Sequence, residues 1–140
     1  MTTDTAQAPE CMIFLLSKAY QRGHALVKKR LLPFGLTNMQ YVILETLWLK
    51  DGLTAVELGT ILAIDKATLS GVLERMAEGG WVAKQNDDRD RRAIRVFLTA
   101  RANHMKASLQ KERQAANDEL LSMFTIEERV LLRRLLKDLA

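Results

Sequence analysis

The sequence predicts a mainly α chain with a small β wing, a winged helix-turn-helix with further helices at its N- and C-terminal ends. Three observations carry that expectation. Residues 54–79 read as two short helices separated by one tight turn at Ile64-Asp65. Ile94, Val96 and Leu98 then alternate with Arg95 and Phe97, the period-two pattern of a half-buried strand, beyond a turn rich in Arg and Asp. Long helical segments with apolar stripes flank this core, over 11–32 and from 100 onward.

Composition bounds what such a chain can be. At 140 residues it is one domain, or one compact module with a helical appendage. An apolar fraction of 48% is normal for a globular protein and argues against disorder. A net charge of +4 and a pI near 9.4 favour an anionic partner. No apolar run approaches the roughly 18 residues that a membrane span needs. The start, MTTDTAQAPE, lacks a signal peptide's basic end and apolar stretch, so a cytoplasmic protein is expected. The single cysteine excludes an intrachain disulfide framework.

Residues 1–10 are small and polar and are expected to be flexible. Cys11 to Leu32 follows as a helix whose Ile13, Leu16, Tyr20, His24, Val27 and Leu31 recur by threes and fours. Pro33 and Gly35 stop it. Thr37 caps a second helix that turns Met39, Val42, Ile43, Leu47 and Trp48 inward. Asp51-Gly52 leads into Leu53, which can add an edge strand to the wing. Thr54 caps the next helix, with Val56, Leu58, Ile61 and Leu62 as its apolar side, and Asp65 caps the one after it.

That helix, Lys66 to about Gly79, buries Leu69, Val72, Leu73 and Met76 at i, i+3, i+4 and i+7. Its opposite surface holds Lys66, Ala67, Ser70 and Gly71, flanked by Thr68 and Arg75: small, polar and mildly basic. Such a surface enters a DNA major groove without steric obstruction. Gly79-Gly80 supplies a left-handed stop. Trp81 to Gln85 pairs with the strand at 94–98, and Asn86 to Arg92 forms the charged tip. Arginines suit a narrow minor groove, and Asp90 is expected to hold one of them by a bidentate pair. Ala100 to Phe124 reads as one uninterrupted helix. Thr125 to Glu128 is a capping box that opens a last helix with an apolar face of Leu131, Leu132, Leu135, Leu136 and Leu139.

From Asp65 to Thr99 the chain resembles the MarR family of bacterial transcriptional regulators. Asp87, Arg89-Asp90-Arg91-Arg92 and Leu98-Thr99 carry the likeness, together with Gly35-Leu36-Thr37, Gln40 and Leu53-Thr54. The likeness extends from about Leu15 to the C-terminus. It implies DNA contacts at Thr54, Lys66, Ala67, Thr68, Ser70, Gly71, Arg75, Arg89, Asp90, Arg91 and Arg92, with Arg92 in the minor groove. Gly71 departs from the family pattern, where arginine is frequent, and Ala102 replaces a frequent glycine.

The terminal helices carry more apolar surface than the central module can cover, and a two-fold partner chain is the economical solution. The resemblance also implies a homodimer, formed through Ile13, Leu16, Leu131, Leu132, Leu135, Leu136 and Leu139. The expected organisation is therefore 33–99 for DNA binding, with 11–32 and 100–140 for dimerisation. Double-stranded DNA is the expected partner, bound at a pseudo-palindromic operator by a protein that is most simply a repressor. Tyr20, His24, Tyr41 and Trp48 can border a cleft for a small aromatic or phenolic effector, as the resemblance implies.

Other chemistries find little support. Cys11, His24 and His104 lack metal-ligand spacing, and no constellation of nucleophile, base and carboxylate points to an enzyme or to a cofactor. One branch of the resembled family senses peroxides through a first-helix cysteine. In the register set by Tyr41, however, Leu16 occupies that position and Cys11 lies more than a turn upstream. A redox sensor of the same fold switched through Cys11, and a winged-helix module that binds protein, are the alternatives.

Overall fold

The computed structural model describes residues 7–140, so part of the flexible stretch expected over 1–10 lies outside the described residues. The fold is mainly α with one small antiparallel sheet. Helices α1 (Met12–Leu31) and α2 (Asn38–Leu49) precede strand β1 (Leu53–Thr54), α3 (Ala55–Leu62) and α4 (Lys66–Glu78). Strands β2 (Val82–Asn86) and β3 (Ile94–Leu98), then α5 (Ala100–Leu120) and α6 (Ile126–Leu139), complete the chain. Two compact units emerge: Leu31–Glu112, and the described residues up to Arg30 together with Arg113–Ala140.

In the first of these units the core forms between α2, α3, α4 and the sheet. Leu58 of α3, Leu69, Val72, Leu73 and Met76 of α4, and Val96 of β3 are buried there. The α4 stripe follows the expected spacing. On α3 only Leu58 is buried and Leu62 is half-buried, whereas Val56 and Ile61 are exposed. An eight-residue helix resting on one side of α4 can cover little more than one turn's apolar group. Helix α2 differs in the opposite sense. It buries Gln40, Tyr41, Ile43, Leu44 and Leu47, while Met39 is exposed and Val42 and Trp48 are half-buried. Gln40, Ile43, Leu44 and Leu47 recur at i, i+3, i+4 and i+7, so one face is buried, Met39 and Val42 lie off it, and Trp48 lies at its edge.

The helix starts follow from side-chain capping. Thr37 accepts from the Gln40 N–H at 3.2 Å and Gln40 Oε1 returns the bond to the Thr37 N–H at 3.0 Å. Thr54 and Glu57 do the same at 3.1 and 3.2 Å, so two capping boxes form where single caps are expected from the sequence. The box expected at Thr125 is half made: Thr125 Oγ1 accepts from the Glu128 N–H at 3.2 Å without a return bond from the Glu128 side chain. The preceding helix also stops earlier than expected, at Leu120 rather than Phe124. Turn bonds from Ser122 to Glu119 and from Phe124 to Leu121 replace helical ones. This turn brings Thr125 to the extended conformation its cap needs, and Arg129 Nε donates to the freed Phe124 carbonyl at 3.2 Å.

Two backbone positions shape the turn between α3 and α4 and the exit from α4. Ala63 closes α3 in the left-handed region, at φ 53°. At the end of α4, Gly80 and not Gly79 takes positive φ, at 77°, while Gly79 stays helical at −74°. The strain at Ala63 gives a stability prediction. Ala63→Gly is expected to raise stability by about 0.5–1 kcal/mol, because L residues are disfavoured there by somewhat more than glycine's extra chain entropy. Thermal or urea unfolding of the two chains measures it.

The sheet has the order β1-β3-β2, with Leu53 opposite Val96 and Lys84 opposite Val96 on the other side. Leu53 therefore supplies the expected edge, and β2 begins one residue later than Trp81. In the second unit, Arg30 pairs with Glu119 at 3.2 Å and Arg129 with Asp118 at 3.7 Å. Of the expected α1 stripe only Val27 and Leu31 are buried in the single chain. Ile13, Leu16, Tyr20 and His24 are exposed, Ile13 to 79%. On α6, Leu131, Leu135, Leu136 and Leu139 are exposed and Leu132 is half-buried.

Candidate nucleic-acid interface

Helix α4 presents the outward surface that its sequence spacing dictates. Lys66, Ala67, Thr68, Ser70 and Arg75 are exposed and Gly71 is half-buried. Asp65 holds the start of this helix: its Oδ1 accepts from the Thr68 N–H at 2.9 Å and its Oδ2 from the Thr68 hydroxyl at 2.7 Å. The Thr68 hydroxyl thus donates within the cap, and the Thr54 hydroxyl accepts from the Glu57 amide with its own O–H still available. These two residues shape the helix starts. Lys66, Ser70 and Arg75 keep their polar ends toward solvent. A Cβ at Gly71 would meet nothing nearer than Arg75 Nη1 at 4.0 Å, so packing does not require glycine there.

The wing tip is a closed, hydrogen-bonded turn. The Asp87 amide donates to Ala93 O at 3.0 Å, and the Ala93 amide to Asp90 O at 2.9 Å. Asp90 does not hold an arginine side chain. Its Oδ1 accepts from the backbone N–H of Arg92 at 3.0 Å, because a carboxylate two residues ahead of an amide in a tight turn reaches the backbone first. Arg89, Arg91 and Arg92 are exposed. Among the described residues, no acidic side chain forms an ion pair with Arg91 or Arg92.

The arginine that a carboxylate does hold is Arg95, on β3. Its Nε donates to Asp87 Oδ1 at 2.9 Å and its Nη1 to the Gly52 carbonyl at 2.8 Å. One guanidinium thereby ties the tip to the turn before β1. Asp51 Oδ1 adds bonds from the Gly52 and Leu98 amides at 3.0 and 2.9 Å. On the other strand, Lys84 Nζ reaches Glu74 Oε2 of α4 at 2.7 Å, which fixes the wing to the helix beside it. None of Glu57, Lys84 or Arg95 was legible as a site residue. Thr-x-x-Glu at 54–57 is the signal that could have found Glu57. Asp87 and Arg95 meet only across a hairpin.

Hydrogen bonding from Arg95 holds the Asp87 carboxyl below the usual carboxylate range, and Asp87 in turn raises Arg95. The Thr68 bonds lower Asp65, and Lys84 lowers Glu74. Each carboxyl is more acidic folded than unfolded. Its contribution is therefore complete above the unfolded value near pH 4 and is lost as pH falls through the lower folded value. Asp87→Asn is expected to be less stable than the natural chain at pH 7, with the difference shrinking below about pH 4. Thermal unfolding of both chains between neutral and acid pH checks this; a constant difference would contradict it.

The four effector-cleft candidates are found as two pairs, one in each unit. Tyr20 and His24 stack with ring centroids 5.7 Å apart. Tyr41 is buried and meets Trp48 edge-on at 6.0 Å. The Trp48 indole N–H is buried without a hydrogen-bond acceptor among the described residues. Cys11 is exposed, immediately before α1. No group of His, Cys, Asp and Glu among the described residues could hold a metal ion, and no helix there is long and apolar enough to cross a membrane.

A helix with a small basic outer surface, a short helix braced behind it and a hairpin with an arginine tip define a winged helix-turn-helix of the DNA-binding class. Comparisons with known proteins agree. The MarR family model matches residues 36–94. HosA, a transcriptional regulator of Escherichia coli, is 30% identical over 102 residues, covering 73% of this chain and 76% of HosA. The transcriptional regulator TtmR of Methylorubrum extorquens is 32% identical over 63% of this chain, a match that spans only 52% of TtmR. Among solved structures, a mutant of Escherichia coli MarR in complex with operator DNA superposes with a TM-score of 0.85 at 26% identity, over 91% of this chain and 92% of that one. Bordetella bronchiseptica BpsR, solved to explain regulation of its DNA binding by 6-hydroxynicotinic acid, gives 0.86 at 28%, over 93% of each chain. The chain belongs to the MarR family of transcriptional regulators.

Proposed function

We propose that this protein is a cytoplasmic, homodimeric repressor that binds a pseudo-palindromic operator and is released by a small aromatic or phenolic effector. The observation that carries the reading is the pairing of an uncovered α4 surface with a braced, arginine-tipped wing. Lys66 to Arg75 would lie in a major groove, with the Arg89–Arg92 tip in the adjacent minor groove. Gly71 then makes sense as a place where backbone approaches the bases closely, since a larger residue would stand between them. Likeness to a MarR structure with operator DNA bound supports the same placement.

The exposed Ile13 and Leu16 on α1 and Leu131, Leu135, Leu136 and Leu139 on α6, with Leu132 half-buried, support a second copy of the chain. Two-fold symmetry would set the recognition helices one DNA turn apart, about 34–36 Å. The effector part rests on two ring pairs taken separately, Tyr20 with His24 and Tyr41 with Trp48. The Trp48 indole N–H is buried without an acceptor among the described residues, and a phenolic or carboxylate oxygen would reach it only where neighbouring side chains part. An effector that prefers a head separation mismatched to the DNA pitch would shift the population away from the bound form.

Salt dependence tests the DNA reading directly. With a labelled operator duplex, raising salt from about 50 to 200 mM is expected to cost roughly a thousandfold in affinity, as counterions compete for phosphates. An affinity that ignores salt would favour a protein-binding module instead.

A further inference from the structure

The exit of α4 is fastened to the first turn of α5 by Thr99 and Arg101, which lie outside the DNA contacts proposed above. The Arg101 guanidinium donates to the carbonyl of Gly79, the C-terminal cap of α4, and lies over the Trp81 ring with 4.2 Å to its centroid. It also passes over Gly80, where an added Cβ would sit 3.8 Å from Arg101 Nη1. Beside it, the Thr99 hydroxyl donates to the Gly80 carbonyl at 2.7 Å, and the Thr99 amide donates to the Trp81 carbonyl at 3.3 Å. The carbonyls of Gly79, Gly80 and Trp81 are therefore all received by two residues at the entrance to α5.

This junction is packed against α4. Trp81 is buried, and its own amide donates back to the Met76 carbonyl of α4 at 2.9 Å. Gly79 lies so close that a Cβ there would meet Trp81 Cδ1 at 3.1 Å. A cation over an indole face and at a helix C-terminus is favourable on both counts, by quadrupole and by helix dipole. A shift of the first turn of α5 must therefore either carry the last turn of α4 with it or break the Arg101 contacts.

We propose that Arg101 is a positioning residue for DNA recognition: it fixes the pose of α4 relative to α5 and so sharpens discrimination between the operator and other sequences. The inference rests on the DNA-binding reading above. Because Arg101 is committed to a carbonyl and a ring of its own chain, its removal affects how well α4 is held and not how many phosphates are met. Non-specific binding, which phosphates dominate, is left unchanged.

The test compares the natural chain, Arg101→Ala and Arg101→Lys on duplexes enriched by the natural chain from a random pool, and on an unrelated duplex, each across salt. Arg101→Ala is expected to lose roughly five- to tenfold on the enriched duplex, with binding to the unrelated duplex and the salt slope unchanged. Arg101→Lys keeps the charge and a donor and is expected to recover part of the loss. An equal loss on both duplexes with a salt slope lower by about one would make Arg101 a phosphate contact and overturn the proposal. So would unchanged discrimination. Failure of the natural chain to enrich or bind any duplex would instead sink the DNA reading. Amide exchange without DNA then still judges the clamp: Arg101→Ala is expected to speed exchange about tenfold at Gly79, Gly80 and Trp81 but not in α2, and unchanged rates there would overturn it.

Discussion

Arg92→Ala is expected to weaken binding to the operator duplex by roughly five- to thirtyfold, the scale of one lost groove contact at about 1–2 kcal/mol. The Arg92 side chain is exposed, and only its backbone amide is used, as a donor to Asp90. Alanine keeps that amide and leaves the turn closed by the Asp87–Ala93 and Ala93–Asp90 bonds. Thermal stability and oligomeric state should therefore stay within error of the natural chain. If Arg92 lies in the minor groove, the loss should be greatest on duplexes with a narrow A-tract at the wing position and smaller where the groove is wide. Titration of both chains on two such duplexes measures this. An equal loss on both would move Arg92 to the phosphate backbone.

Gly52→Ala is expected to be the most destabilising change in the wing, by about 2–3 kcal/mol. Gly52 has φ 73°, and an added Cβ would stand 2.8 Å from Phe97 Cε1. Both its backbone polar groups are engaged, the amide with Val96 O at 3.1 Å and the carbonyl with Arg95 Nη1 at 2.8 Å. The strain cannot be relieved by moving the turn without loosening Arg95, and with it Asp87 and the tip. Phe97→Leu in the same chain should recover the steric share and leave the backbone share, which unfolding midpoints of the single and double variants separate. An unchanged midpoint in Gly52→Ala would mean the turn carries none of this constraint.

The elements were legible because their signals are local. Thr37, Thr54 and Asp65 cap helices within four residues of themselves, and Leu69, Val72, Leu73 and Met76 show their period within three turns. The three-stranded sheet followed from one alternating strand and its flanks. Burial on α2 was legible in its spacing but misplaced by expecting Met39 and Val42 inward: Gln40, Ile43, Leu44 and Leu47 recur at i, i+3, i+4 and i+7, with Tyr41 beside them. The bracing of the wing was not legible. Asp87–Arg95 and Arg95–Gly52 are set by hairpin register and by a contact 43 residues apart, and Asp90 was assigned a partner that backbone geometry gave to the Arg92 amide. The left-handed Ala63 is equally silent in the sequence, because alanine carries no signal for such a turn.

The central claim is that two copies of α4 and the wing are displayed together at the pitch of a duplex. Enrichment of random duplexes by the purified chain, followed by counting of protein chains per bound duplex, tests it most directly. The account predicts two chains per duplex and inverted half-sites about 10 base pairs apart, centre to centre. One chain per duplex on a single unrepeated site, or no enrichment at low salt, would contradict it.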